Sequence, residues 1–179
     1  MNLGKKIVSV VAGVALVAGA GAIAAAPAQA KPKPKTKGIT VISFDKALAP
    51  VVAGIVPVAP AKANGTQLSF PVSKVVGNGV EHKGAIKIGA LEASNPIILI
   101  DTENSTAVIN LTVAGNALPL FTIKNFKIRE QTKKVQRWQG FLHLTDNQLV
   151  VDALNGAVGQ AVFVPGMGLG QIRTTINQK

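Results

Sequence analysis

Residues 79–89, GVEHKGAIKIG, decide how this chain reads. Val80, His82, Gly84, Ile86 and Ile88 share one parity, and Glu81, Lys83, Ala85 and Lys87 share the other. That period of two is the signature of a strand with one face on a core and one in water. The same alternation puts one of the chain's two histidines on the apolar face. A lone histidine among aliphatics is ordinarily a neutral core residue holding one hydrogen bond, and beside a glycine it also marks a place where something approaches closely. His82 and Gly84 are therefore the candidate ligand-binding pair, with backbone or ligand as the open alternatives for what lies next to Gly84.

Outward from this strand the pattern repeats. In TQLSFPV, Leu68, Phe70 and Val72 fall on one face, with Pro71 marking an edge or bulge, and GNG at 77–79 is the turn of a hairpin into the histidine strand. PIILI at 96–100 is apolar on both parities, as a central strand buried on both faces would be. TAVINLTVAG alternates with Ala107, Ile109, Leu111 and Val113 on one side. In LPLFTIKNFKIRE the parity changes between Ile123 and Phe126, which predicts a β-bulge at Asn125.

Two short helices interrupt the strands. Asp45 is placed to cap KALAPVVA, closed by Gly54, with Pro50 limiting it to two turns or a 3₁₀ turn. Thr145 and Gln148 form a capping box for a helix with Leu149, Ala153 and Leu154 on one side, ended by Gly156 or Gly159. The sum is an all-β (mainly), single-domain β-sandwich or flattened barrel of about eight strands and two short helices, spanning 38–179.

The first thirty residues have a different character. MNLGKK, an Ala/Val/Gly-rich run and APAQA read as a signal peptide cleaved after Ala30, the alternative being a retained anchor. Residues 31–37, KPKPKTK, form a basic Lys/Pro tail, either a spacer or a contact with anionic polymer. Without the leader's Lys5 and Lys6 the formal charge falls from +11 to +9. The absence of cysteine in an exported chain fits a bacterial envelope or extracellular protein, secreted and without a transmembrane segment once the leader is removed.

Chemistry-bearing motifs are sparse. No paired carboxylates, G-x-S-x-G elbow or metal-spaced histidines occur, and there is no Tyr or Cys, so the chain reads as a non-catalytic binding or structural module. A hydrolase would need His82 or His143 within reach of a serine and an acid. The run from Lys124 to Arg137 carries Lys124, Lys127, Arg129, Lys133, Lys134 and Arg137 against Glu130 alone, and Trp138 adjoins it. These seven residues form a candidate surface for anionic cell-wall polymer, lipid headgroups, polysaccharide or a surface protein; the alternative is a lysine-protected hairpin with Trp138 in the core. Nucleic acid is not expected as a partner.

HKGAIKI, NPIILI and TAVINLTV together resemble the core of HtaA-type domains, secreted or cell-surface modules of actinobacteria linked to haem uptake. The match covers residues 80–113, and LTDNQLVVDALNG with FVPGMGLG resembles the ending of related actinobacterial secreted proteins. The resemblance implies a related β fold and haem as a ligand. In that family haem iron is bound by a tyrosine of an N-terminal aromatic motif, supported by the strand histidine. This chain has no Tyr, so His82 alone carries over, in the supporting role, and no metal ligand is assigned.

Overall fold

The computed structural model describes residues 37–177. The leader, residues 1–30, and the Lys/Pro segment up to residue 36 lie outside the described residues.

Strand β1 (Lys37–Phe44) leads into a 3₁₀ turn (Lys46–Leu48) and helix α1 (Ala49–Val52). Then follow β2 (Ile55–Val58), β3 (Lys62–Asn64), β4 (Gln67–Val76), β5 (Gly79–His82), β6 (Ala85–Ile88), β7 (Leu91–Asp101) and β8 (Thr106–Val113). The chain ends with β9 (Asn116–Gln131), β10 (Val135–Leu144), α2 (Gln148–Val158) and β11 (Gly168–Asn177).

Every pairing among these strands is antiparallel, and the sheet closes. From β7 the order runs β5, β4, β1, β11, β10, β9, β8, and β8 pairs back onto β7. The architecture is thus an eight-stranded barrel, with β6 and β2 branching from β7 and β3 from β4. Closure leaves one interior, so each strand has one dry face, and Leu68, Ile98, Ile123, Leu142, Ile172 and Ile176 fill it. One end is covered by α1, β2 and α2, where Leu48, Val52 and Leu154 pack near Phe121, Leu144 and Leu169. No helix among the described residues is long and apolar enough to cross a membrane.

The decisive stretch 79–89 is two strands. β5 pairs with β4 and with the second half of β7, whereas β6 pairs with β2 and with the first half of β7, one residue out of register. The break falls at Lys83-Gly84, and Gly84 has φ +106°, a conformation side-chain-bearing residues rarely adopt. A Cβ there would stand 2.7 Å from the Ala61 nitrogen. What lies beside Gly84 is therefore backbone.

Several local expectations are corrected. Asp45 makes no side-chain cap; the 3₁₀ turn and α1 are separate because Pro50, near the start of α1, has no N–H to carry a continuous helix across it. The second helix is capped by Asn147, whose side chain accepts from Leu149 N at 3.1 Å, while Thr145 accepts from Asn147 N instead. Its core residues are Val151 and Leu154, and Leu149 is 80% exposed. PIILI is paired on both edges but not buried on both faces, since Leu99 on the outside of the barrel is 46% exposed. The bulge at Asn125 is present: Asn125 has φ +52°, and the β9–β10 register shifts opposite Gly140.

Candidate functional site

His82 ends β5 inside the barrel and is 4% exposed. Its Nδ1 lies 3.1 Å from the Pro96 carbonyl on β7, and its Nε2 lies 2.6 Å from Oγ1 of Thr40 on β1. Thr40 Oγ1 is in turn 2.6 Å from Oγ1 of Thr174 on β11. A carbonyl can only accept, so Nδ1 carries a hydrogen. Burial pulls the His82 pKa below its ordinary value of 6.5, opposed in part by the Pro96 carbonyl, so the ring is neutral and Nε2 accepts. Thr40 must then donate to Nε2 and accept from Thr174. One direction of hydrogen bonding runs Thr174 → Thr40 → His82 → Pro96 and ties four strands together across the interior.

The cavity bordering this chain has a volume of about 20 Å³ and is lined by Ile42, Phe70, Ile86, Ile98 and Leu111 among others. That is room for about one water. Haem is a test the residues fail: both ring nitrogens are engaged, and ligand sites for molecules of that class span about 300–1,000 Å³. In this structure His82 is held by hydrogen bonds on both ring nitrogens and Gly84 makes room for Ala61.

His143 is half-buried on β10, with Nδ1 donating to the Gly166 carbonyl at 3.1 Å. The hydrogen-bonding partners of both histidines are threonine hydroxyls and carbonyls. No group of three or more His, Cys, Asp or Glu among the described residues is placed to hold a metal.

The basic segment divides between outside and inside. Lys124, Lys127 and Arg129 are exposed on β9, Lys133 and Lys134 on the β9–β10 turn, and Arg137 on β10, where it meets Glu130 at 3.0 Å. Among the described residues Arg137 alone of the six has an acidic partner. Trp138 departs from the surface reading: it is 4% exposed, and its ring packs at 5.2 Å on Phe126. Parity explains this, since Trp138, Gly140 and Leu142 face in while Arg137, Gln139 and Phe141 face out.

The Asn125 bulge dents the outer wall into a concavity of about 180 Å³, lined by Asn125, Lys127, Arg129, Gln139, Phe141 and Gln171. Phe141 is 48% exposed there. Sequence reasoning missed Gln139, Phe141 and Gln171, although the outward parity of Gln139 and Phe141 beside an inward Trp138 was the signal available. Gln171 comes from a strand distant in sequence and carries no such signal.

No protein-family model matches the sequence, and no curated protein is similar to it. Two solved structures are similar in fold. The C-terminal domain of HtaA from Corynebacterium glutamicum superposes with a TM-score of 0.61 at 13% identity, covering 82% of this chain and 99% of that one. The haem-binding protein HtaB from the same organism gives a TM-score of 0.59 at 16% identity, covering 82% and 95%. The all-β barrel thus has the fold that the C-terminal domain of HtaA and HtaB share, over nearly the whole of those two solved chains.

Proposed function

We propose that this protein is an exported, non-catalytic binding module that engages an anionic envelope polymer through the cationic outer wall of β9 and β10. The observation that carries it is the concavity at the Asn125 bulge. Lys127 and Arg129 border it with the amides of Asn125, Gln139 and Gln171, and Lys124, Lys133 and Lys134 extend the positive field along the same hairpin without acidic partners among the described residues. Such a field concentrates polyanions and is screened by salt. Amide donors beside a guanidinium suit phosphate oxygens.

The test is binding of long-chain polyphosphate to the purified protein at low and high salt. Binding that weakens with salt, and falls at least tenfold in K127E/R129E, is expected. Equal binding by that variant overturns the proposal, as does binding only to phosphatidylglycerol vesicles, which would assign a membrane surface instead.

A second reading, haem binding, is favoured by the fold shared with HtaB. On this reading haem would be held away from His82, because the His82 nitrogens are engaged and the cavity beside them is small. Haemin titration separates the two arrangements. A Soret shift unaffected by His82→Ala supports haem held elsewhere, and one abolished by that substitution overturns the packing role of His82.

A further inference from the structure

The other end of the barrel, uncovered among the described residues, holds a pocket of about 150 Å³. Its deep wall is Phe126 and Trp138, both buried, and its sides carry Asn78, Thr102, Gln131 and Gln136. Each polar residue stands on a fixed support. Gln131 and Gln136 are register partners across the β9–β10 hairpin, and the Asn78 carbonyl accepts from Ile100 N at 3.0 Å. Thr102 follows β7 in a turn closed by Asp101, whose carboxylate accepts from the backbone nitrogens of Glu103 and Asn104, both at 3.1 Å, and from Asn104 Nδ2 at 2.7 Å. None of the lining side chains is charged.

Two further features set this pocket apart from ordinary surface relief. Trp138 is buried, yet its Nε1–H has no acceptor among the described residues. Native interiors seldom leave such a donor unpaired, and an orphan beside a pocket calls for an explanation. Ile128 lines the same pocket and is 48% exposed, so apolar surface is left wet at its rim. Barrel mouths are among the places where small-molecule sites form.

We propose that the barrel mouth binds one pyranose unit of a neutral saccharide. A sugar ring has C–H faces that pack on aromatic and aliphatic walls, and hydroxyls that both donate and accept, which suits the side-chain amides of Asn78, Gln131 and Gln136 and the Thr102 hydroxyl. The indole of Trp138, with Phe126, supplies the flat apolar wall on which the C–H face of such a ring packs. The volume agrees: a cavity of about 150 Å³ admits benzene, so it admits a six-membered ring, with substituents leaving through the open mouth. A purely aliphatic ligand would leave the amides unpaired, and an anion would find no cation in the lining. The site lies inside the barrel's end, separate from the outer cationic wall, and it stands or falls without that reading.

Trp138 is the sole tryptophan of the chain, so its fluorescence reports on this pocket alone. The full-length protein is titrated with glucose, galactose and N-acetylglucosamine and with their β-linked disaccharides. A saturable change in emission is expected with at least one of them. It should weaken at least tenfold in Q131A/Q136A, an exposed and a half-buried position of the hairpin, with the fold checked by circular dichroism, and in Thr102→Val. Unchanged emission with every sugar overturns the proposal. So does an undiminished response in both variants, or saturation by glucuronate alone, which would assign a carboxylate.

Discussion

His82 and Trp138 are each 4% exposed inside one barrel, yet among the described residues one has every polar atom paired and the other does not. They lie close in the ladder as well. Trp138 is the register partner of Thr174, and Thr174 is the partner of Thr40, which donates to His82. Mid-barrel, where strands β1, β5, β7 and β11 converge, hydroxyl, imidazole and carbonyl meet end to end and water is not needed. Toward the other end, among the described residues, the indole N–H finds no acceptor and Ile128 stays wet. A sealed polar chain stabilises, whereas a buried orphan donor costs stability.

Breaking the sealed side should have the largest effect. His82→Ala removes the acceptor of Thr40 and opens a void, and about 3 kcal/mol of unfolding free energy should be lost, visible as a fall in the urea midpoint. A loss below about 0.5 kcal/mol would mean the chain of hydrogen bonds contributes nothing net. Next comes Gly84→Ala, where a Cβ at φ +106° would stand 2.7 Å from the Ala61 nitrogen. The expected loss is about 2 kcal/mol, read by thermal melting, and an unshifted melting point would contradict the close backbone approach.

Acid should act on the same side with a definite sign. Burial sets the His82 pKa below 6.5 in the folded chain, so at pH values under about 6.5 the unfolded state binds the extra proton. Stability should be level above that pH, decline as pH falls below it, and level off once folded His82 itself protonates. Protonation at Nε2 would also force Thr40 to reverse its donation. Urea midpoints at pH 7.5 and 5.5 for the native protein and for His82→Phe check this, because the difference should shrink in the variant.

The smallest effect belongs to the mouth. Trp138→Phe deletes the orphan donor while leaving a small void beside Phe126, two terms of opposite sign, so the stability should stay within about 1 kcal/mol of the native protein. A loss as large as that of His82→Ala would show that the indole N–H has a partner in solution, and the contrast between the two sites would disappear.

The barrel strands were largely legible because alternation is local. The hairpin at GNG, the inward set Ala107, Ile109 and Leu111, and the bulge at Asn125 all follow from parity and turn residues within a few positions. The inward aim of His82 was legible for the same reason. Its partners were not, since Thr40 is 42 and Thr174 is 92 positions away, and neither has a local feature marking it as polar core. Trp138 belongs to the same lesson: a basic neighbourhood suggested surface, while parity along β10 placed it inside. The helix cap shows the limit at short range, where Asn147 displaced Thr145 because the chain turns two residues later.

Sequence by itself determined the mainly β class, the inward face of the plainly alternating strands and the excess of positive charge, because these depend on residue type and period. Only the tertiary structure decided that the sheet closes into a barrel, that Gly84 accommodates Ala61, that His82 is saturated and that Trp138 is not. Closure, saturation and vacancy depend on which distant strands become neighbours, and strand neighbours are chosen by packing the whole interior, not by any one stretch of chain.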